Sequence, residues 1–326
     1  MVSITQAIPT PNETASNAVS GSVHSSRSGL PANGPAVPAL RTADEIESIR
    51  AAGSVVRAAL EAVAERCVAG VRTSELDDVA RAVIESANAE PLFLHYPEYV
   101  RGQGFPAVSC ISVNDAVIHG VPDRTLLQDG DLVSIDCGVR LDGWCADAAI
   151  TVAVGSMTPS HQALVDTTRD ILDIAIRRIR PGVRWSSIAS EMDAHAARAG
   201  FGVIADYVGH GIGRKLHEAP SAPSVMTQSL RFRGDFTLRP GMVIAVEPML
   251  VLTDAGASNA TDADNQTACR VATHKDADGW TVRTASGAVS CHLEHTIAVT
   301  RSGSDVLTSP DRTPVRACQK HEEVNG

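Results

Sequence analysis

The sequence reads Asp129-Gly-Asp-Leu-Val-Ser-Ile-Asp136 and, 111 positions later, Pro240-Gly-Met-Val-Ile-Ala-Val-Glu247. In both stretches a glycine opens an apolar run of strand length, and an acidic residue ends it six positions after the glycine. Such runs predict strands. A carboxylate buried at that position is costly unless a cation or strong hydrogen-bond donors accompany it. The repeated pattern therefore indicates two related halves, each with a functional carboxylate.

Three further matches extend the repeat through the chain. They pair Gly70-Val-Arg-Thr-Ser-Glu-Leu with Gly182-Val-Arg-Trp-Ser-Ser-Ile, Asp147-Ala-Ala-Ile with Glu294-His-Thr-Ile, and His119-Gly-Val-Pro with His217-Glu-Ala-Pro. A helical stretch precedes each member of the first pair, at 43–67 and 161–179, and the earlier helix begins at a capping box of Thr42 and Glu45. The matches predict two copies of a unit with two helices, a histidine loop and carboxylate-bearing strands, related by a pseudo-twofold axis.

The strands between the helices are joined as hairpins, which predicts a largely antiparallel sheet with helices on one face, and hence an α+β fold. In the first half, residues 132–140 and 144–154 are the two strands and Asp142-Gly143 is the turn. This register puts Asp136 and Asp147 on the same face, one diagonal step apart, which is about 7–8 Å between Cα atoms. Both side chains can therefore reach one ion.

A folded body is expected at 41–302, between two tails. Residues 1–40 contain 21 Ser, Thr, Asn, Gly or Pro residues and only two charged residues, which predicts a disordered N-terminal extension. It includes Pro35-Ala-Val-Pro38, a PxxP spacing that polyproline-binding grooves recognise but that plain linkers also contain by chance. The remaining segments are a polar, structureless surface insertion and a C-terminal tail, at about 252–279 and 303–326.

Composition excludes several classes of function. The 326 residues include 28 Lys and Arg against 38 Asp and Glu, a formal net charge of −10, which argues against broad nucleic-acid binding or a specific DNA partner. No run approaches the ~18 apolar residues of a membrane span, and no signal peptide is evident, so we expect a cytoplasmic protein without a membrane partner. The seven cysteines include no CxxC pair, which indicates reduced thiols rather than disulfides or a thiolate zinc site.

The pseudo-twofold axis is expected to bring four carboxylates together: Asp136, Asp147, Glu247 and Glu294. Four negative charges in one pocket repel one another unless positive charge compensates them, and either two divalent metal ions or several arginines could do so. His210 favours the metal ions, because a neutral imidazole in a glycine-rich loop is a suitable nitrogen ligand for a site made mainly of oxygen donors.

Other interpretations of these motifs are weaker. The glycines around His210 have the spacing GxGxG rather than GxGxxG, and Pro220 and Pro223 stand where the helix of a nucleotide-binding loop should run. The hydrolase motifs HExxH, GxSxG and GxxxxGKS/T do not occur in the sequence. We interpret five further histidines as structural: His24, His161, His195, His274 and His321.

Together these motifs resemble the type I methionine aminopeptidases of the pita-bread metallopeptidase fold, over about residues 40–302. The matching motifs are Asn114-Asp-Ala-Val-Ile-His119-Gly-Val-Pro-Asp123, Ser134-Ile-Asp136-Cys-Gly, Asp147, Gly209-His210-Gly-Ile-Gly213, His217-Glu-Ala-Pro, Val246-Glu247-Pro-Met and Leu293-Glu294-His-Thr-Ile. The resemblance implies five ligands, with Asp147 and Glu294 bridging two divalent ions: Asp136, Asp147, His210, Glu247 and Glu294. Mn²⁺, Fe²⁺ and Co²⁺ all suit this donor set.

The resemblance also implies roles on the substrate side. Glu247 is the general base, His217 stabilises the oxyanion, and His119 contacts the scissile amide nitrogen. A methionine pocket falls, by position, at Tyr99, Gly102, Phe105, Cys110, Leu216 and Trp280. Of these, Gly102 and Leu216 are smaller than the aromatic side chains that bacterial members usually have there.

The implied activity is removal of the initiator methionine from nascent polypeptides by a monomeric enzyme, with a small second residue preferred and the N-terminal extension as a contact to the ribosome. Two alternatives stay open. A prolidase-like or Xaa-Pro aminopeptidase activity uses the same ligands, although such enzymes usually have an ordered domain ahead of the catalytic one. A non-catalytic binding module on this fold would have lost ligands, and all five are present here.

Overall fold

The computed structural model describes residues 37–97, 104–232, 234–253 and 267–309. The helices in these ranges are α1 (Ala43–Arg66), α2 (Thr73–Ser86), α3 (Pro159–Arg178), α4 (Trp185–Ala199) and α5 (Gln228–Phe232). The strands are β1 (Glu90–Pro91), β2 (Ser109–Val113), β3 (Ala116–Ile118), β4 (Leu132–Leu141), β5 (Trp144–Ala153), β6 (Gly202–Val203), β7 (Gly209–Gly211), β8 (Glu218–Ala222), β9 (Val243–Val246), β10 (Met249–Val251), β11 (Thr273–Lys275), β12 (Val282–Thr284), β13 (Ser290–His292), β14 (Glu294–Val299) and β15 (Ser304–Val306).

Helix α1 begins at the capping box that the sequence predicts. The Glu45 backbone N–H donates to the Thr42 hydroxyl, and the Thr42 backbone N–H donates to the Glu45 carboxylate, at 3.3 and 2.9 Å. Both bonds satisfy amide groups that have no partner inside the helix. None of the described helices combines the length and the apolar character that crossing a membrane requires.

The main sheet has the strand order β1-β4-β5-β14-β9-β7-β8, with β2 also paired to β4 and β15 also paired to β14. Its strand pairs are antiparallel. In the β4–β5 hairpin Asp136 pairs with Ala149 and Asp147 pairs with Gly138, which is the predicted register. Asp142 and Gly143 form the turn with φ of 49° and 77°, as a two-residue hairpin loop with right-handed strand twist requires. The α+β prediction is confirmed.

The backbone hydrogen bonds repeat between the two halves. Gly70 N–H donates to the Leu127 carbonyl at 2.8 Å, and Gly182 N–H donates to the Leu238 carbonyl at 2.9 Å. Likewise Gly130 N–H bonds to Val154 and Gly241 N–H bonds to Val299, at 2.8 and 2.9 Å. All four of these glycines have a φ between 85° and 94°, which other residues rarely adopt. Each repeated glycine therefore marks an equivalent turn, and the duplication is confirmed.

Each half has its own apolar core between helices and sheet. In the first half α1 and α2 bury residues such as Ile49, Leu60 and Leu76 against β4 and β5. In the second half α3 and α4 bury residues such as Ile171 and Trp185 against strands that include β9 and β14. Because the helices lie on one face, the opposite face of the strands is left for the carboxylates and histidines of the repeat.

The segment expected to be a structureless insertion at about 252–279 is in part ordered, and that prediction is corrected. Residues 254–266 lie outside the described residues, but β11 pairs with β12, and Arg270 bonds to Asp193 of α4. Asp193, 1% exposed, also accepts the backbone N–H groups of Met226 and Ala268, at 3.1 and 2.9 Å. A buried carboxylate on α4 therefore holds a segment whose own sequence contains few apolar residues.

The expected boundary at 302 also changes. Strand β15 follows it and pairs with β14, and Leu307 and Thr308 behind it are buried. The folded body thus continues to about residue 308, because β14 offers an unpaired edge beyond its contact with β5. Residues 1–36 and 310–326, expected to be tails, lie outside the described residues, as do Tyr99 and Gly102.

Replacing Arg270 with alanine is expected to destabilise the fold by about 3 kcal/mol, because it leaves the Asp193 carboxylate without its charged partner. The matched control is Arg169→Ala on α3, whose ion pair with Asp166 is exposed and should contribute less than about 1 kcal/mol. Urea unfolding followed by circular dichroism measures both free energies. Equal, small effects in the two variants would contradict the anchoring role of Asp193.

Candidate active site

Four carboxylates lie on neighbouring strands near the centre of the main sheet. Asp136 is on β4, Asp147 on β5, Glu294 opens β14, and Glu247 follows β9 directly. The strand order β4-β5-β14-β9 places the β4–β5 hairpin beside the antiparallel pair of β14 and β9, as the pseudo-twofold axis predicts. Asp147 and Glu294 are 2% and 3% exposed, so these charges have little water to solvate them.

His210 completes this group from β7. Ligand atoms of Asp147, His210 and Glu294 all lie within 4.8 Å of one another. His210 Nε2 is 3.5 Å from an Asp147 carboxylate oxygen and 3.8 Å from Glu247 Oε1. The structure thus brings four of the five expected ligands into one cluster by distance, and the fifth, Asp136, lies on β4, which pairs with the strand of Asp147.

The glycines beside His210 allow the close strand packing that positions it. A Cβ at Gly209 would lie 2.3 Å from the Ala245 carbonyl oxygen, and one at Gly211 would lie 2.2 Å from the Ala219 carbonyl oxygen. Strand β7 is paired on both sides, to β8 and β9, so its glycines serve strand pairing rather than a phosphate-binding loop.

Burial and mutual repulsion strongly disfavour the ionised form of these four carboxylates. Desolvation, and secondarily the charge of Asp147, raises the pKa of Asp136, Glu247 and Glu294 well above the ordinary range. Desolvation raises the pKa of Asp147 to about 7, although a 3.0 Å hydrogen bond from the Thr296 hydroxyl opposes the shift. Four such groups remain ionised together only if cations compensate them.

The residues present fit divalent metal ions. Asp136 Oδ1 is fully buried and has no hydrogen-bond partner among the described residues, so this oxygen is available to bind a cation. Desolvation lowers the pKa of His210 to about 4, so its imidazole is neutral at physiological pH. Its Nδ1–H donates to the Gly211 carbonyl at 3.1 Å, which leaves the Nε2 lone pair directed at the carboxylates.

A further histidine, His217, contacts the cluster through His210, and His119 lies within electrostatic reach of His217. The ring of His217, in the loop between β7 and β8, lies 4.3 Å from the ring of His210, and its Nδ1 is 2.8 Å from the hydroxyl of Tyr96. His119 follows β3 and contacts Tyr207 edge-on, with ring centroids 5.8 Å apart. Desolvation, then Lys275 and His217, lowers the pKa of His119 to about 4, so it too is neutral.

An apolar cluster lies next to the carboxylates. Phe105, Ala107 and Cys110 are buried together, and Trp280 meets Phe105 edge-on with centroids 5.6 Å apart. Cys110 pairs with Asp136 across β2 and β4, which places the cluster beside the proposed ligands.

The structure adds two residues to this cluster and regroups another. Phe93 and Val121 pack against it and were not predicted from sequence. Leu216 instead groups with the core of the first half. Tyr96 was also missed, and no sequence signal could have found it, because its partner is 121 positions away.

Metal binding at pH 7 is expected to release at least about one proton per chain, because carboxylates with raised pKa values must ionise to become ligands. His210 does not contribute, since its pKa of about 4 leaves it neutral in this range. Calorimetric titration with Mn²⁺ in two buffers of different ionisation enthalpy measures the release. An observed enthalpy that is the same in both buffers would contradict the buried, protonated carboxylate cluster.

Most of the chain matches a known family of metallopeptidases. The model of metallopeptidase family M24 matches residues 47–301, most of the described body. The solved structure of methionine aminopeptidase from Thermotoga maritima superposes with a TM-score of 0.73 at 33% identity, and covers 84% of this chain and 100% of its own. The prolidase from Pyrococcus furiosus, 22% identical with a TM-score of 0.61, shares the fold. The chain belongs to metallopeptidase family M24.

Within that family the chain is similar in sequence to methionine aminopeptidases. The methionine aminopeptidase of Aquifex aeolicus is 39% identical over 265 residues, which are 81% of this chain and 96% of the relative. Methionine aminopeptidase 1 of Mycobacterium tuberculosis is 39% identical over 275 residues, 82% and 94% of the two chains. The pita-bread fold and the resemblance predicted from the motifs are confirmed.

Proposed function

We propose that this protein is a methionine aminopeptidase that removes the initiator methionine from nascent polypeptides, most efficiently when the second residue is small. The observation that carries the proposal is the cluster of Asp147, His210 and Glu294 within 4.8 Å, beside the apolar group of Phe105 and Cys110. A metal-ligand set next to an apolar pocket suits the hydrolysis of a peptide bond that follows an apolar side chain. The similarity to methionine aminopeptidases supports the same activity.

The proposed cofactor is a pair of divalent ions held by five ligands: Asp136, Asp147, His210, Glu247 and Glu294. Asp147 and Glu294 are the proposed bridging ligands. Four carboxylates and one neutral imidazole suit Mn²⁺, Fe²⁺ or Co²⁺ alike. When bound, such ions polarise the scissile carbonyl, lower the pKa of the attacking water and hold the substrate α-amine, which limits cleavage to the first residue.

The protein's own side chains perform the proton transfers and stabilise the charge. Glu247 accepts a proton from the attacking water and passes it to the departing amine. His217 donates a hydrogen bond to the developing oxyanion, and His119 donates to the scissile nitrogen. In this proposal the methionine side chain packs on the apolar cluster that contains Phe105 and Cys110 and that Trp280 contacts, where it would be removed from water.

The test is an assay of metal-reconstituted protein on Met-Ala-Ser and on Xaa-Pro dipeptides. Release of methionine from Met-Ala-Ser without cleavage of Xaa-Pro is the expected result. Cleavage of Xaa-Pro dipeptides alone would identify a prolidase-like enzyme. Lack of turnover on both, with two metals bound, would point to a binding module.

The proposed partner is the nascent chain, which a monomeric enzyme meets in the cytoplasm, with the N-terminal extension, residues 1–40, as a contact to the ribosome. Deletion of residues 1–36 is expected to leave kcat and KM on Met-Ala-Ser within about twofold, since none of the proposed site residues lies there. The deletion keeps Arg41, whose backbone N–H bonds to the Gly241 carbonyl at 2.7 Å. A large loss of kcat would contradict this division, whereas loss on ribosome-bound chains alone would support the ribosome contact.

A further inference from the structure

We propose that Tyr96 is a positioning residue for His217, whose imidazole it holds in the tautomer that presents Nε2–H to the substrate. The proposal rests on the function proposed above. Tyr96 lies between β1 and β2, and its role follows from a contact across the fold.

Two contacts determine the orientation of the His217 ring. The Tyr96 hydroxyl lies 2.8 Å from His217 Nδ1, and the two rings are tilted by 60° with centroids 5.4 Å apart. The His217 ring also meets the ring of His210 at 67° with centroids 4.3 Å apart. The imidazole is therefore placed between a phenol and a proposed metal ligand.

The backbone that carries His217 is held independently of Tyr96. Glu218 Oε1 accepts the backbone N–H groups of Arg214 and Lys215, at 2.8 and 3.1 Å. The other oxygen of Glu218 forms an ion pair with Arg41, whose side chain is largely buried. Removal of the Tyr96 hydroxyl should therefore free the ring of His217 while its loop stays in place.

The chemistry of the imidazole makes this orientation matter. A neutral imidazole carries one proton, and the hydrogen bond at one nitrogen selects the tautomer at the other. If the phenol donates to Nδ1, the proton lies on Nε2 and can be donated to the oxyanion. In the opposite tautomer Nδ1–H donates to the phenol oxygen, and an Nε2 lone pair faces the developing negative charge. The oxyanion role of His217 therefore requires the tautomer with the proton on Nε2. The Tyr96 hydroxyl favours that tautomer when it donates to Nδ1.

The test is a double-mutant cycle on the metal-loaded enzyme, with kcat and KM for Met-Ala-Ser measured for wild type, Tyr96→Phe, His217→Ala and the double variant. Phenylalanine keeps the ring contact and removes only the hydroxyl. We expect Tyr96→Phe to lower kcat on the order of tenfold with KM and metal content unchanged, as loss of one hydrogen bond in the transition state implies. In the His217→Ala background the same change should have no effect.

Two results would overturn the proposal while wild type releases methionine normally. One is a kcat of Tyr96→Phe equal to that of wild type. The other is an equal fold-loss from Tyr96→Phe with and without His217, which would show that the phenol acts independently of the imidazole. If wild type itself releases no methionine, the proposed function fails, and that failure is seen before any variant is compared.

Discussion

Replacing Asp147 with Asn, or Glu294 with Gln, is expected to reduce methionine release to background and to abolish tight binding of the second metal ion. Each carboxylate is nearly fully buried and lies within 4.8 Å of His210 and of the other. A bridging carboxylate neutralises charge on both ions, and an amide of the same shape cannot do so. Metal content of the dialysed variants, measured by atomic emission alongside turnover, checks the prediction.

Stability measurements separate loss of a ligand from misfolding. Because burial already disfavours the ionised carboxylates in the metal-free protein, a neutral amide of the same shape adds no buried charge, and the metal-free variants should unfold at a temperature no lower than metal-free wild type. The control is Asp166→Asn on α3, where the carboxylate is exposed. This variant should keep both ions and full activity. Two tightly bound ions with normal turnover in Asp147→Asn or Glu294→Gln would overturn the proposed ligand set.

Replacing His217 with alanine is expected to lower kcat by roughly 10²–10³, or about 2.7–4 kcal/mol of transition-state stabilisation, the usual cost of losing one oxyanion donor. His119→Ala should also lower kcat, because the departing amine loses its hydrogen-bond partner. The two histidines occupy equivalent loops of the repeat, so they should act on different atoms of the same peptide bond.

Metal stoichiometry is the deciding measurement for both histidine variants. Neither His119 nor His217 belongs to the cluster of Asp147, His210 and Glu294, so both variants should fold normally and retain two ions. If either variant loses a metal ion, that histidine is a ligand, and the division between metal-binding and substrate-binding histidines is wrong. Full kcat in His217→Ala would remove the oxyanion role.

The tertiary structure decides how the proposed metal ligands are supported, and these supporting contacts have no signal in the sequence. Thr296 bonds to Asp147 from a strand 149 positions away, and Gly211 accepts from the ring of its neighbour His210. The first contact depends on which strands become neighbours, and the second on the conformation of β7. Motif spacing contains neither.

The sequence by itself determined the features that depend on local periodicity and on repetition. The capping box of α1, the register of the β4–β5 hairpin and the equivalence of the two halves were all predicted, because each follows from short-range backbone preferences or from a pattern that occurs twice. The proposed ligand set was implied by the motifs, because the sequence has four carboxylates and one histidine in the motifs of the family that it resembles.

Only the tertiary structure decided which distant residues meet. Tyr96 reaches His217 across 121 positions, and Asp193 of α4 orders the polar segment around Arg270. Phe93 joins the apolar cluster from a stretch that gave no motif. The physical reason is common to all three: such contacts form when sheet and helices pack, and their free energy depends on burial and geometry that no local pattern of the chain encodes.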